Sequence, residues 1–537
     1  MGLNGIDHYR EIRKNFRWNV PANFNFGRDV VDRYASDRSK VAFFYEDAGG
    51  DAAKYTFWEV SRISGRVGNV LRGLGVKAGD PVLLLLQNVP EWYFCMAAGT
   101  KIGAVMIPCS DQLRPKDLVY RAQHSGARTI ISWDAKTGEV DQIRKECPGL
   151  VNFLCVGERK PGWLSFRDET AKAPQSLSPL EGNASEPALV YYTSGTTGNP
   201  KAVMHSHFYT GAHWVTGKYW IDLKPTDLFW CIAGTGWAKA AWSVLFGPWN
   251  CGAATILYNA PFDAKKGLEL LERYEITVLC APPTAYRAFV KEDLSRYDLS
   301  KLRHCVGAGE PLNPEVIKTW KEAYGLTIHD GYGQTETINL VANYPGIPVK
   351  PGSMGLPTPG HDVAVIDDKG SEVPPGEIGE IAVKGRPPSI FMGYWKDEEK
   401  TRECFRGEWY MTGDRAYRDH DGYFFFVGRG DDVIISAGYR IGPFEVESAL
   451  LEHPAVVESA VVSSPDELRG EIVKAYVVLR KGYEASDALK KELQDHVKKV
   501  TAPYKYPRDI AFVKELPKTS SGKIRRVELR NAEWKRA

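Results

Sequence analysis

With 537 residues, the chain exceeds one small domain and leaves room for a large core with a smaller module beside it. Its 69 basic residues nearly balance 67 acidic ones, which argues against a binder of nucleic acid or of an acidic membrane surface. Nine cysteines, scattered from Cys95 to Cys404 without CxxC pairs, exclude a disulfide scaffold and a zinc site and read as the reduced thiols of a cytoplasmic protein.

In chain order, the N-terminus carries Asp7 and Glu11 and no long apolar run, so neither a signal peptide nor an acid-poor transit peptide is expected. Gly2 does not open a myristoylation site, because Ile6 stands where Ser or Thr is needed. Thr56-Phe57-Trp58-Glu59 has the form of a capping box opening a helix, after which Val60, Ile63, Val67, Val70, Leu71 and Leu74 recur at helical spacing. Gly75 ends that helix, and Pro81–Leu86 follows as a buried strand, far too short to span a membrane. A helix is predicted over Glu91–Lys101. Strands are predicted over Ala104–Ile107, Arg128–Trp133, Val151–Val156, Ala188–Tyr191, Ala253–Leu257 and Ile276–Cys280. Helical segments between several of them predict an α/β fold: a large N-terminal domain of layered sheets and helices, its strands largely parallel. After about Gly352 the strands become short and polar-punctuated, as in Asp362–Ile366 and Glu380–Val383, which predicts a small barrel-like subdomain. Gly428-Arg429-Gly430-Asp431-Asp432 is a charged, glycine-bearing break. Beyond it, Phe444–Leu451 and Ala485–Val500 read as helices and Val456–Val462 and Ile472–Leu479 as strands. The organisation expected is therefore an N-terminal domain over 1–430 and a small α+β domain over 431–537.

Four stretches carry chemistry. Tyr192-Thr193-Ser194-Gly195-Thr196-Thr197-Gly198-Asn199-Pro200-Lys201 follows a strand and is almost free of bulky side chains. Glycines let backbone N–H groups approach phosphate oxygens, hydroxyls add donors, and the lysine adds a point charge. It is not a Walker A loop, since Gly195 and Gly198 are too close and Ala202 follows the lysine. Gly307-Ala308-Gly309-Glu310-Pro311-Leu312 is a small-residue turn after the strand His304–Val306, where a flat base can slide against backbone. Asp330-Gly331-Tyr332-Gly333-Gln334-Thr335-Glu336-Thr337 offers an aromatic ring, a hydroxyl and a carboxylate, the last suited to a hard cation bound with phosphate oxygens. Tyr410-Met411-Thr412-Gly413-Asp414 supplies a further carboxylate after a tight turn.

Together with Ser436-Ala437-Gly438-Tyr439-Arg440-Ile441-Gly442-Pro443 and Pro517-Lys518-Thr519-Ser520-Ser521-Gly522-Lys523-Ile524, these motifs resemble, in order and over essentially the whole chain, the acyl-adenylate-forming superfamily of acyl-CoA synthetases, peptide-synthetase adenylation domains and luciferases. The resemblance implies that Thr193, Ser194, Gly195, Thr196, Thr197 and Lys201 hold the phosphates of ATP. It implies that Gly309, Glu310 and Pro311 contact adenine, that Tyr332 stacks on it, and that Asp330 and Gly331 are cofactor-binding residues. Thr335 would meet the α-phosphate, Glu336 would hold Mg²⁺, Asp414 the ribose, and Arg429 the ribose or a phosphate. Lys523 would neutralise charge as pyrophosphate leaves. Gly438, Tyr439 and Arg440 would lie on the CoA side, as would Arg469, for which a solvated surface role stays open. Asp431 would be the hinge of a mobile small domain. Trp237 would line the acyl pocket, and a plain core role stays open there too.

The resemblance further implies a two-step reaction using a carboxylic acid, ATP and CoA, with no nucleic-acid partner, and with homo-oligomerisation left open. Asp-Gly-Tyr-Gly-Gln-Thr-Glu-Thr and Gly-Tyr-Arg-Ile-Gly-Pro are most similar to the medium-chain acyl-CoA synthetases. In the acetyl-CoA synthetase branch tryptophan stands at the position of Gly333. The glycine is expected to leave that volume empty, for acids of about four to ten carbons or a small ring. Three other readings share these motifs. One passes its acyl group to a carrier protein, one is a luciferase-like oxygenase, and one is a non-catalytic nucleotide binder, which should have lost Lys523 or Glu336; both are present.

Overall fold

The computed structural model describes residues 5–193, 200–309, 312, 314–430, 432–436, 439–466, 469–501, 503–519 and 523–535. Its first sheet has nine strands. Six of them run parallel, in the spatial order Ile328–Gly333, His304–Ala308, Val278–Ala281, Leu228–Cys231, Ala254–Asn259 and Val41–Asp47. Antiparallel strands close both edges. The second sheet has eight strands: Pro187–Thr193, Val105–Cys109, Pro81–Leu85, Thr129–Trp133, Asn152–Val156 and Leu164–Ser165 are parallel, while Lys201–Ser206 and Gly393–Tyr394 complete one edge antiparallel.

The expected capping box is present. Thr56 caps the helix Phe57–Gly73, its hydroxyl accepting from the Glu59 N–H while the Glu59 carboxylate accepts from the Thr56 N–H. The next helix, Pro90–Ile102, is buried on nearly every face, which is why its sequence lacks an amphipathic stripe. It packs on Phe57–Gly73 within the main core. Lys101, carried into that interior, is paired with Asp32 at 2.6 Å. Aromatic rings fill the space beside these helices: Tyr93 lies 4.4 Å from Phe43 and 4.8 Å from Trp249, and Phe57 lies 5.0 Å from Trp249. Burying one such large apolar side chain stabilises the fold by about 1.5–3 kcal/mol relative to exposing it.

The barrel-like subdomain is a third, wholly antiparallel sheet of Val363–Ile366, Ile378–Lys384, Trp409–Arg418, Phe405–Arg406 and Phe424–Arg429. A small C-terminal domain carries the fourth sheet: Tyr439–Ile441, Ile434–Ser436, Gly470–Leu479, Val456–Asp466 and Asp509–Phe512. The helices Pro443–Leu451 and Asp487–Val500 pack on that sheet through Val446, Leu450, Leu493 and Val497. Among the described residues no helix is long and apolar enough to cross a membrane.

Candidate functional site

In an open α/β sheet, ligands bind outside the carboxyl ends of the parallel strands. In the first sheet those ends are Ala281, Ala308 and Gly331, brought side by side by the register Ala281↔Gly307 and Ala308↔Gly331. The small-residue turn and the Asp330–Thr337 motif therefore emerge at one place. Asp330 is half-buried there. Burial pushes its carboxyl up to about 8, against the pull of the Gly331 and Leu312 N–H groups and of Lys239. Lys239, two residues after Trp237, reaches the same crevice and donates to the Ala308 carbonyl at 3.2 Å. Trp237 is half-buried at the start of that short helix.

Asp414, brought across from the third sheet, meets this motif directly. Its Oδ2 accepts from the Tyr332 hydroxyl at 2.6 Å and from Gln334 Nε2 at 2.7 Å. Gln334 Nε2 also donates to the Thr412 carbonyl at 2.7 Å, and Gln334 Oε1 accepts from the Tyr410 hydroxyl at 2.9 Å. Arg429, the strand partner of Asp414, places Nε 3.9 Å from Oδ1. Burial raises the Asp414 carboxyl, while the Tyr332 hydroxyl and Arg429 draw it down. Tyr332, Asp414 and Arg429 are thus gathered at one point. Gln334 and Tyr410, which the sequence did not single out, hold Tyr332 and Asp414 in register.

Thr193 and Lys201 face each other as paired residues of two antiparallel strands, so the candidate phosphate loop joins two strands of a hairpin. Residues Ser194, Gly195, Thr196 and Thr197 lie outside the described residues, as do Glu310, Pro311, Asp431 and Gly438. Lys201 Nζ sits 5.0 Å over the ring of Tyr394. The Tyr394 hydroxyl donates to Glu336 Oε1 at 2.8 Å, and His205 Nε2 meets the Thr335 carbonyl at 2.8 Å. Neither Tyr394 nor His205 was legible as a site residue, because the contacts span 58 and 130 positions of chain.

Three glycines behave differently. A Cβ at Gly331 would stand 2.4 Å from Trp220 Cζ2, so only glycine fits under that indole. Gly309 has φ +109° with nothing within 4 Å of a Cβ, so backbone conformation alone favours glycine there. Gly333, expected beside the acyl group, is hemmed in by backbone. A Cβ there would meet the Ile338 carbonyl oxygen at 2.4 Å, because the strand register shifts between Tyr332 and Gly333 and folds the return strand against it. A side chain at Gly333 would press on that return strand.

On the small domain, Tyr439 is exposed and stacks on Tyr504 with centroids 4.4 Å apart. Arg440 lies in the strand Tyr439–Ile441, its side chain outside the described set. Arg469 donates its backbone N–H to Asp466 Oδ1 at 2.8 Å. Lys523 is exposed, its N–H donating to Thr519 Oγ1 at 3.1 Å and its carbonyl accepting from the Thr519 N–H at 2.7 Å. Among the described residues no group of three or more His, Cys, Asp or Glu is arranged to hold a metal ion. A lone carboxylate such as Glu336 fits Mg²⁺, which takes one or two carboxylates together with substrate phosphates.

The sequence profile of the AMP-binding enzyme family matches residues 30–395, and that of the AMP-binding enzyme C-terminal domain matches residues 445–523. The chain is 44% identical over 544 residues to acyl-coenzyme A synthetase ACSM3, mitochondrial, of Mus musculus, covering 98% of this chain and 94% of that one. It is 48% identical over 530 residues to acyl-coenzyme A synthetase ACSM5, mitochondrial, of Homo sapiens, covering 96% of this chain and 91% of that one. Among solved structures, the anthranilate CoA ligase AuaEII in complex with anthranoyl-AMP superposes with a TM-score of 0.90 at 35% identity, covering 96% of this chain and 98% of that one. The cytoplasmic expectation does not stand, because these curated relatives are mitochondrial proteins. Unpaired thiols, of which all nine cysteines are examples, do not single out the cytoplasm.

Proposed function

The chain belongs to the AMP-binding enzyme family, and from that premise we infer that it is an AMP-forming acid–CoA ligase acting on a medium-chain or small-ring carboxylic acid. In the first half-reaction a carboxylate oxygen attacks the α-phosphorus of ATP, forming acyl-AMP as pyrophosphate leaves. In the second, the thiol sulfur of CoA attacks the acyl carbonyl carbon, the thiol proton is lost, and AMP departs with the electron pair of the broken acyl–phosphate bond.

The observation that carries this reading is the convergence of Tyr332, Gln334 and Asp414 with the Thr335–Glu336 turn at the carboxyl ends of the first sheet. Asp414 receives the ribose hydroxyls, Tyr332 flanks adenine beside Gly309, Asp330 and Gly331, and Arg429 meets ribose or phosphate. Thr193 and Lys201 flank the loop that takes the polyphosphate, and Thr335 binds the α-phosphate. Glu336 would hold Mg²⁺, which, when bound, supplies positive charge to the phosphate oxygens. Trp237 borders the acyl group. Lys523 neutralises charge on the carboxylate and α-phosphate during adenylation, and Tyr439, Arg440 and Arg469 face CoA. No side chain acts as a covalent nucleophile; the chain positions reactants and balances charge. The unit that moves between half-reactions is residues 431–537, turning about Asp431.

The test is pyrophosphate release together with CoA-thiol consumption over a panel of carboxylic acids. The expected result is equal release and consumption, both dependent on ATP, with acids of about four to ten carbons or one ring favoured over acetate as buried CH₂ groups accumulate. Pyrophosphate release without thiol consumption points instead to transfer onto a carrier protein. Absence of both refutes the ligase reading.

A further inference from the structure

We propose that the strand Lys201–Ser206 and residues 391–394 form a three-point grip on the Thr335–Glu336 dipeptide, in which His205 and Tyr394 are positioning residues that decide which oxygen of Glu336 faces the cation of the nucleotide. The proposal rests on the reading of Glu336 given above.

Thr335 and Glu336 lie in the connection between the strands Ile328–Gly333 and Asn339–Ala342 of the first sheet. Register shifts in that hairpin, so the ladder itself does not fix the connection. Within the turn, the Thr337 hydroxyl accepts from the Gln334 N–H and donates to the Ile338 carbonyl, which leaves the carbonyls of Thr335 and Glu336 to find donors elsewhere. Those donors come from the second sheet and the segment leading into its edge strand. His205 Nε2 donates to the Thr335 carbonyl at 2.8 Å, the Phe391 N–H donates to the Glu336 carbonyl at 2.8 Å, and the Tyr394 hydroxyl donates to Glu336 Oε1 at 2.8 Å.

The direction of the first bond follows from chemistry, since a carbonyl only accepts and the proton must therefore sit on Nε2. His205 is fully buried and its ring stacks on Tyr209 with centroids 3.7 Å apart, so the imidazole cannot swing away. Tyr394 pairs with Val203 across the two strands, and Val203 and His205 alternate onto one face. His205 and Tyr394 therefore reach the turn from the same side of the strand pair, two residues apart. Tyr394 is itself fixed, its N–H donating to Thr401 Oγ1 at 2.8 Å.

The consequence is asymmetric. Glu336 Oε1 is occupied by the phenol, while Oε2 makes no hydrogen bond among the described residues. A carboxylate held by one oxygen presents the other in a set direction, as ligating carboxylates commonly are. Lys201 stands at the head of the same strand that carries His205, so the candidate phosphate loop and the candidate cation ligand are anchored to one strand.

The experiment measures Mn²⁺ binding to the full chain saturated with a non-hydrolysable ATP analogue, by electron paramagnetic resonance, alongside metal-free analogue binding and thermal unfolding. Tyr394→Phe removes one oxygen and keeps the ring. It is expected to weaken Mn²⁺ about tenfold or more while metal-free analogue binding and unfolding temperature hold. His205→Leu should weaken Mn²⁺ as well, and His205→Gln should restore much of it, because a Gln amide can donate to the Thr335 carbonyl. The grip is overturned if Tyr394→Phe leaves Mn²⁺ affinity unchanged, or lowers metal-free and Mn²⁺ binding by one common factor. It is overturned equally if His205→Gln is as impaired as His205→Leu, a comparison that stands even if Tyr394→Phe does not fold. Glu336→Gln is the separate control: if it binds Mn²⁺ as well as wild type, the reading of Glu336 fails and the grip has nothing to position.

Discussion

At the scale of single residues, the site is governed by close approach as much as by charge. Gly331 lies under Trp220, whose ring is nearly fully buried and whose Nε1–H donates to the His329 carbonyl at 3.2 Å. A rigid, anchored indole cannot yield to a methyl group, so Gly331→Ala is expected to destabilise the fold by about 1–3 kcal/mol, the usual cost of overpacking. Trp220→Leu in the same chain should recover part of that loss. Urea unfolding of both single variants and the double variant checks this, and strictly additive losses would show that the two positions do not clash. Tyr332, Glu336 and Asp414 could be named as candidates because each sits in a compact motif whose residue types state their chemistry. Gly333 shows what a sequence leaves open, since a glycine does not say whether the space beside it is empty or filled by backbone. Tyr394 and His205 carried no local signal at all. Their partners were chosen by how two sheets meet.

At the scale of elements, the strand Lys201–Ser206 and the helix His207–Val215 that follows it carry three buried histidines. Burial pulls His205 down to about 3 and His207 to about 4, from an ordinary 6.5, and holds His213 well below that value. The unfolded chain therefore takes up protons below pH 6.5 that the folded chain refuses. Stability is fully present above that pH and falls as pH drops towards 3–4, by up to about 1.4 kcal/mol per pH unit for each histidine. Hydrogen-exchange protection factors, corrected for the intrinsic rate at each pH, should fall between pH 6.5 and 5 more over residues 201–215 than over the helix Phe57–Gly73, which contains no histidine. His207→Gln should reduce the pH slope of the urea midpoint by one proton; an unchanged slope would mean that His207 is already charged in the folded protein. The helix Phe57–Gly73 was readable to within a residue or two because its cap and its apolar spacing agree. Lys201–Ser206 escaped notice because a short strand behind a glycine-rich loop has neither the length nor the alternation that marks one.

At the scale of the whole molecule, the layered α/β body, the antiparallel subdomain and the small C-terminal domain were all foreseeable from where strands lengthen, shorten and stop. How the domains touch was not, because that depends on a few glycines whose surroundings only the fold supplies. Gly442 is one. A Cβ there would stand 2.2 Å from the Val427 carbonyl oxygen, at the join between the third sheet and the helix Pro443–Leu451. Gly428 is another, with Pro443 Cδ 3.2 Å from its Cβ position. The small domain thus rests on the body through backbone in direct apposition, while Arg530 pairs with Asp432 at 2.7 Å just past the proposed hinge. If residues 431–537 turn between half-reactions, this apposition belongs to one arrangement and must open in the other. Gly442→Ala should then depress one half-reaction by more than about tenfold, a bias of about 1.4 kcal/mol against a single arrangement, and leave the other nearly intact. Lys523→Ala gives the companion result. It should cripple acyl-AMP formation yet still convert supplied acyl-AMP and CoA to thioester, because its charge is needed only while pyrophosphate leaves. Single-turnover measurements of each half-reaction decide the matter. Equal losses in both halves for both variants would mean that one fixed arrangement serves the entire reaction, and that Gly442 matters only because its backbone has no room for a side chain.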